Sequence, residues 1–192
     1  YACGHYSRAY VLMKGAETVI PVAGVIASFL RKDAAKLIAR LNELLFDTET
    51  RDTPVSDEAA LDIIIGRAVA LVFEHTISGD ARSLHVADDT LRDAMLISEA
   101  GSQPSYWWIA RLLRLMFNDY RRSSLWSVLP PLFGTDGVTA ISDYTSLLAL
   151  SRPPVTELWR SQLSALSLAL DDETSGGVVN LRTSAGKTRV AE

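Results

Sequence analysis

Apolar residues recur along this chain at the three- and four-residue spacing of helices far more than at the two-residue alternation of strands. Between 34 and 46, Leu37, Ile38, Leu41, Leu44 and Leu45 trace one helical face, and Asp33 stands at the N-cap. The polar run 47–54 ends in a proline and reads as a linker. Ser56 then caps a second helix, with Asp57 and Glu58 in its first turn, where the helix dipole favours negative charge. This helix runs to about 77 and stops at Ser78-Gly79-Asp80. Between Ile63 and Phe73 it is apolar on nearly every side, the pattern of a central buried helix. A third helix is expected over 88–100, closed by Gly101. Asp88, Asp89 and Asp93 read there as acidic partners of its dipole rather than as a catalytic pair. Pro104 opens a fourth helix to about 122, rich in leucine and aromatic residues. Short helices follow over 124–129 and 142–150, separated by Pro130-Pro131 and a glycine turn at 134–137.

Ser151-Arg152-Pro153-Pro154 is the clearest boundary, and the pattern changes after it. Thr156 is placed to cap a helix to about 170. A polar loop then leads to Gly177-Val178-Val179-Asn180-Leu181, a short β-branched run and the first credible strand. The expected fold is mainly α. A helical domain over 1–150 is followed, over 151–192, by the first helix, strand and phosphate loop of a truncated α/β domain.

Composition narrows the field. The chain has 192 residues, 48% hydrophobic and 22% charged, which excludes disorder and fibrous repeats and suffices for a core without disulfides. The net charge of −4 excludes a strongly basic nucleic-acid domain as a description of the whole chain, though not a local basic face. Cys3 is the single cysteine and forms no internal disulfide, which suits a reducing cytoplasm. No apolar run reaches the roughly 20 residues that span a bilayer; Val19 to Leu30, the longest, contains Pro21 and Gly24. His5, His75 and His85 share no metal-ligand spacing with carboxylates or with Cys3. The chain begins at Tyr1 and ends in an apparent helix at Ala191-Glu192, and it is therefore read as a piece of a longer frame.

The chemistry is concentrated near the end. After the β-branched run come Arg182, Thr183, Ser184, Ala185, Gly186, Lys187 and Thr188. A loop that wraps a phosphate needs inward backbone N–H groups, which small residues such as Ser184, Ala185 and Gly186 permit. The helix that follows adds the positive end of its dipole. Lys187 would reach the β- and γ-phosphates of ATP, and the Thr188 hydroxyl would ligate Mg²⁺. The common pattern has glycine five positions before Gly186, where this chain has Leu181.

These residues resemble the first motif of superfamily 2 helicases, the DEAD/DEAH-box class and its relatives, which often reads Pro-Thr-Ser-Ala-Gly-Lys-Thr. Thr183 to Thr188 match in register, Arg182 replaces the proline, and Arg189-Val190-Ala191-Glu192 follow as in the family. The missing first glycine is normal there. The resemblance implies a glutamine upstream that reads the adenine edge. Gln162, preceded by Leu158 and Trp159, lies where it is expected and offers both the donor and the acceptor that adenine needs. The plainer alternative is a solvent-facing helix residue. The resemblance covers about 153–192 only. The acidic box, the arginine finger and the second RecA-like lobe would lie beyond Glu192, so this piece is not expected to hydrolyse ATP alone.

Tyr106-Trp107-Trp108 and Arg111, Arg114, Arg121 and Arg122 share the fourth helix. Trp107 with Arg111, Arg114 and Arg121 suits single-stranded nucleic acid, DNA or RNA. The alternative is a solvated face over a Leu112-Leu113-Met116-Phe117-Tyr120 core stripe. The segment from Tyr106 to Trp126 resembles helical N-terminal regions of some bacterial defence-associated helicases, which adds phage defence as an implied role. The expectation is thus the N-terminal part of a cytoplasmic, ATP-dependent helicase or translocase, its helical domain touching nucleic acid or a protein partner. A non-catalytic interaction domain with a chance Gly-Lys-Thr tail, or another P-loop ATPase, stands as the alternative.

Overall fold

A computed structural model describes residues 20–46, 56–130, 138–152 and 154–169. These residues are mainly helical, and the single β feature among them is an isolated antiparallel bridge. The chain parts into two compact units, Tyr1–Asp119 and Tyr120–Glu192. The segment after Pro153-Pro154 turns back onto the elements just before it, and Val155 N–H donates to Leu148 C=O at 2.9 Å. The expected strand at 177–181 lies outside the described residues.

The first unit is built from α1 (Pro21–Leu30), α2 (Ala34–Phe46), α3 (Asp57–Ser78), α4 (Ala81–Ala100) and most of α5 (Pro104–Ser123). Helix α1 was not expected. Its Pro21 sits in the first turn, where the missing N–H costs no hydrogen bond. Its Val22, Val25, Ile26 and Ala27 are buried. Helix α2 has the expected limits, and Asp33 caps it by accepting from Lys36 N–H at 3.2 Å. Leu37 and Leu41 face inward, whereas Ile38 is exposed.

Helix α3 is the central element. Ser56 accepts from Ala59 N–H at 3.2 Å at one end, and Gly79 closes the other at φ 75°, a left-handed conformation that glycine adopts without strain. Leu61, Ile65, Ala68, Val69 and Val72 are fully buried. Gly66 allows the close approach of α2: a Cβ there would stand 2.6 Å from Leu44 Cδ2.

Helix α4 begins seven residues earlier than expected. Asp80 caps it through Arg82 N–H at 3.0 Å, so a two-residue link turns α3 and α4 into a helical hairpin. The buried positions Ser83, Leu84, Ala87, Leu91, Ala94 and Ser98 keep helical spacing throughout. Asp88 and Asp89 therefore lie inside the helix rather than in its first turn. Gly101 ends α4 at φ −84°, and the left-handed residue is Ser102 at φ 54°.

Three helices meet at Asp62 of α3. Helix α1 has no side-chain cap of its own, and Asp62 supplies one by accepting from Val22 N–H at 3.4 Å. The Tyr106 side chain of α5 stands beside the same carboxylate. Burial pushes the Asp62 carboxyl above the usual range, against the pull of the Val22 N–H and the neighbouring Tyr106 hydroxyl. Phe29 of α1 and Phe117 of α5 pack edge to face, with centroids 5.9 Å apart.

The second unit holds the last turn of α5, α6 (Leu125–Val128), α7 (Val138–Leu150) and α8 (Arg160–Ala169). Its core is Leu125, Val155 and Leu158, flanked by Val128, Leu129, Leu148, Leu163 and Leu166. No helix among the described residues is long and apolar enough to cross a membrane.

Two outcomes follow. Ser102→Gly removes a left-handed non-glycine residue and should raise stability by about 1 kcal/mol in chemical denaturation. His75 is buried and its Nδ1–H donates to Asp80 C=O at 2.9 Å. Burial pushes its pKa below the ordinary 6.5. Its contribution is therefore present above 6.5 and is lost as pH falls from 6.5 through the lowered folded value. Melting curves from pH 7.5 downward should show a fall that is smaller in His75→Gln.

Candidate nucleotide-binding segment

The geometry around Gln162 starts with backbone pairing. Leu158 N–H donates to Ser123 C=O at 2.8 Å, and Leu125 N–H donates to Thr156 C=O at 3.1 Å. These bonds flank the bridge between Ser124 and Glu157. Residues held this way are extended, so Thr156 does not cap the helix as expected. The helix starts at Arg160, three residues after the position that a Thr156 cap implies. Thr156 belongs to the bridge instead of acting as a cap.

Gln162 is consequently in the first turn of α8. Its Oε1 accepts from Trp159 N–H at 2.7 Å, while Gln162 N–H and Leu163 N–H both donate to Trp159 C=O. This is the reaching-back half of a capping box, and it satisfies an otherwise orphaned donor at the helix start. Gln162 is 5% exposed, far from a solvent-facing helix residue. Leu158 anchors the segment in the core, and Trp159 is half exposed beside it. Thr183, Ser184, Ala185, Gly186, Lys187 and Thr188 lie outside the described residues.

The α5 residues singled out for nucleic acid fall into different environments. Tyr106, Ala110, Leu113 and Phe117 form the buried stripe. Leu112, expected in the core, is 50% exposed. Trp107 is half-buried and meets Trp108 edge to face, 4.9 Å between centroids, and Trp108 is 59% exposed. Arg111 and Arg121 are exposed. Arg114 is committed elsewhere: its Nε and one terminal nitrogen bind both oxygens of Asp88 at 2.8 and 2.9 Å. That bidentate bond, against some loss from burial, raises the guanidinium pKa further. Arg92 also pairs with Asp88, at 3.5 Å. Sequence reasoning missed this pairing because Asp88 and Arg114 are 26 residues apart.

Among the described residues no group of three or more His, Cys, Asp or Glu side chains gathers to hold a metal ion.

No family model matches the chain. One curated relative does: it is similar to the Hachiman protein HamB of Bacillus cereus. The two are 28% identical over 193 residues, a match that takes in all of this chain. The chain spans 17% of the length of that protein.

Gln162 thus has a structural duty whatever else it does. Gln162→Ala should cost about 1 kcal/mol, the net worth of one hydrogen bond at a helix start, read as a lowered denaturation midpoint.

Proposed function

We propose that this chain is the N-terminal part of an ATP-dependent nucleic-acid helicase or translocase. The observation that carries the reading is the order of residues after position 153. A capped helix with Gln162 is followed by the β-branched run at 178–179 and then by Ser184, Ala185, Gly186, Lys187 and Thr188. The end-to-end similarity to HamB, a protein of which this chain spans only 17%, supports its being a piece of a much longer protein.

In this reading ATP is bound between Gln162 and the loop. Gln162 contacts the adenine edge, and the backbone N–H groups of 184–187 take the β-phosphate. Lys187 holds the β- and γ-phosphates, and Thr188 ligates Mg²⁺. Bound Mg²⁺ would neutralise charge on the phosphates. The helical residues before position 150 serve as an accessory module. Arg111 and Arg121, both exposed, are the residues available to phosphates of a nucleic acid, and Trp108 offers the more open aromatic face. Arg114, bound to Asp88, is less suited to that task.

A second reading, a protein-interaction module, rests on a different observation. Trp108, Leu112 and Leu115 follow helical spacing on α5 and are all exposed, from 45% to 59%. Three large apolar side chains in one stripe suit a protein surface better than a phosphate backbone.

The test belongs in the longer protein. Lys187→Ala should abolish ATP turnover while leaving the thermal transition nearly unchanged. Turnover retained in that variant would contradict the site assignment.

A further inference from the structure

The bridge between α5 and the segment before α8 lies very close to Gln162 along the chain. Leu158, whose N–H is held by Ser123 C=O, is bonded through one peptide unit to Trp159. The N–H of that peptide unit is the group that Gln162 Oε1 accepts from, at 2.7 Å. The other rung, Leu125 N–H to Thr156 C=O, stands two residues earlier. Ser124, at the centre of the bridge, is fully buried. The buried Tyr120 hydroxyl, on the last turns of α5, lies near Ser124 and Thr156. Leu125 and Leu158, one from each side of the bridge, fill the same core. Any shift of residues 156–158 against 123–125 therefore moves the Trp159 N–H and, with it, the amide of Gln162.

We propose that the Ser124–Glu157 bridge is the positioning element for base recognition by Gln162, so that backbone groups at the α5–α6 joint, which meet no nucleotide, set the preference for adenine. This rests on the reading of Gln162 as the adenine-contacting residue. The positioning groups are Leu125 N–H and Ser123 C=O.

Leu125 permits a clean test. It is the first residue of α6, the helical position where proline is best tolerated. Ser124 before it has φ −57° and ψ 135°, the conformation that a following proline requires. Leu125→Pro thus deletes the rung to Thr156 without opposing the local backbone. Leu125→Ala keeps the N–H and loses the side chain, so the pair separates the bond from the packing.

The experiment measures binding of ATP and GTP to the longer protein in wild type, Leu125→Pro, Leu125→Ala and Gln162→Ala. Leu125→Pro is expected to lower the ATP-over-GTP preference about fivefold, the worth of one net hydrogen bond, toward the value of Gln162→Ala. Leu125→Ala is expected to keep the wild-type preference, with kcat at saturating ATP close to wild type in both variants. Equal preference in the proline and alanine variants overturns the positioning role, while Gln162→Ala still reports on the adenine contact. A wild type with no preference for ATP, unaltered by Gln162→Ala, overturns the adenine reading itself. Should Leu125→Pro fail to fold, the α-hydroxy analogue of leucine at 125 deletes the same N–H and keeps the side chain. The same loss of preference is then expected, and an unchanged preference overturns the proposal.

Discussion

Asp62 stands on the most buried helix of the first unit, where an apolar residue would pack at less cost, and what it does there organises its neighbours. A buried carboxylate is expensive unless its oxygens find donors. Asp62 finds one in the start of α1, which has no cap of its own, and the Tyr106 hydroxyl of α5 stands beside it. The cost of burial shows in its raised pKa. The benefit is that the start of α1 is fixed against α3 by a directional bond, which apolar packing alone does not provide. The remaining contacts of the unit then follow: Phe29 meets Phe117 edge to face, Gly66 admits Leu44, and Asp80 closes the α3–α4 hairpin.

The second unit is organised by backbone rather than by a side chain. Two hydrogen bonds across the Ser124–Glu157 bridge hold 156–158 extended and delay the start of α8 to Arg160. A helix begun at Thr156 would have placed Gln162 in its second turn. Begun at Arg160, it places Gln162 in the first turn, within reach of Trp159 N–H. The role of this glutamine in the fold and its proposed role toward adenine thus depend on the same backbone pairing.

The elements that could be read in the sequence are those specified by neighbours in the chain. Asp33, Ser56 and Pro104 mark the starts of α2, α3 and α5 because capping and first-turn preferences act within four residues. Helix α1 was hidden because Pro21 and Gly24 look like breakers, and its cap comes from Asp62, 40 residues away. The first two turns of α4 were hidden because their inward residues include Ser83 and Ala87, which carry little apolar signal. The start of α8 depends on backbone partners 31 and 35 residues apart, and the commitment of Arg114 to Asp88 on one 26 residues distant, which no local pattern reports. The motif at 183–188, read from residue types and order alone, lies outside the described residues.

The central claim is that Gln162 and Lys187 belong to one motor whose remaining parts follow in the same frame. Reading the coding sequence on both sides of this segment tests it most directly. The account predicts an open frame of several hundred residues after Glu192, with an Asp-Glu acidic box after a further strand and a second RecA-like lobe. A stop codon directly after Glu192, or a long frame with no acidic box, would contradict it and leave the helical units as an interaction module.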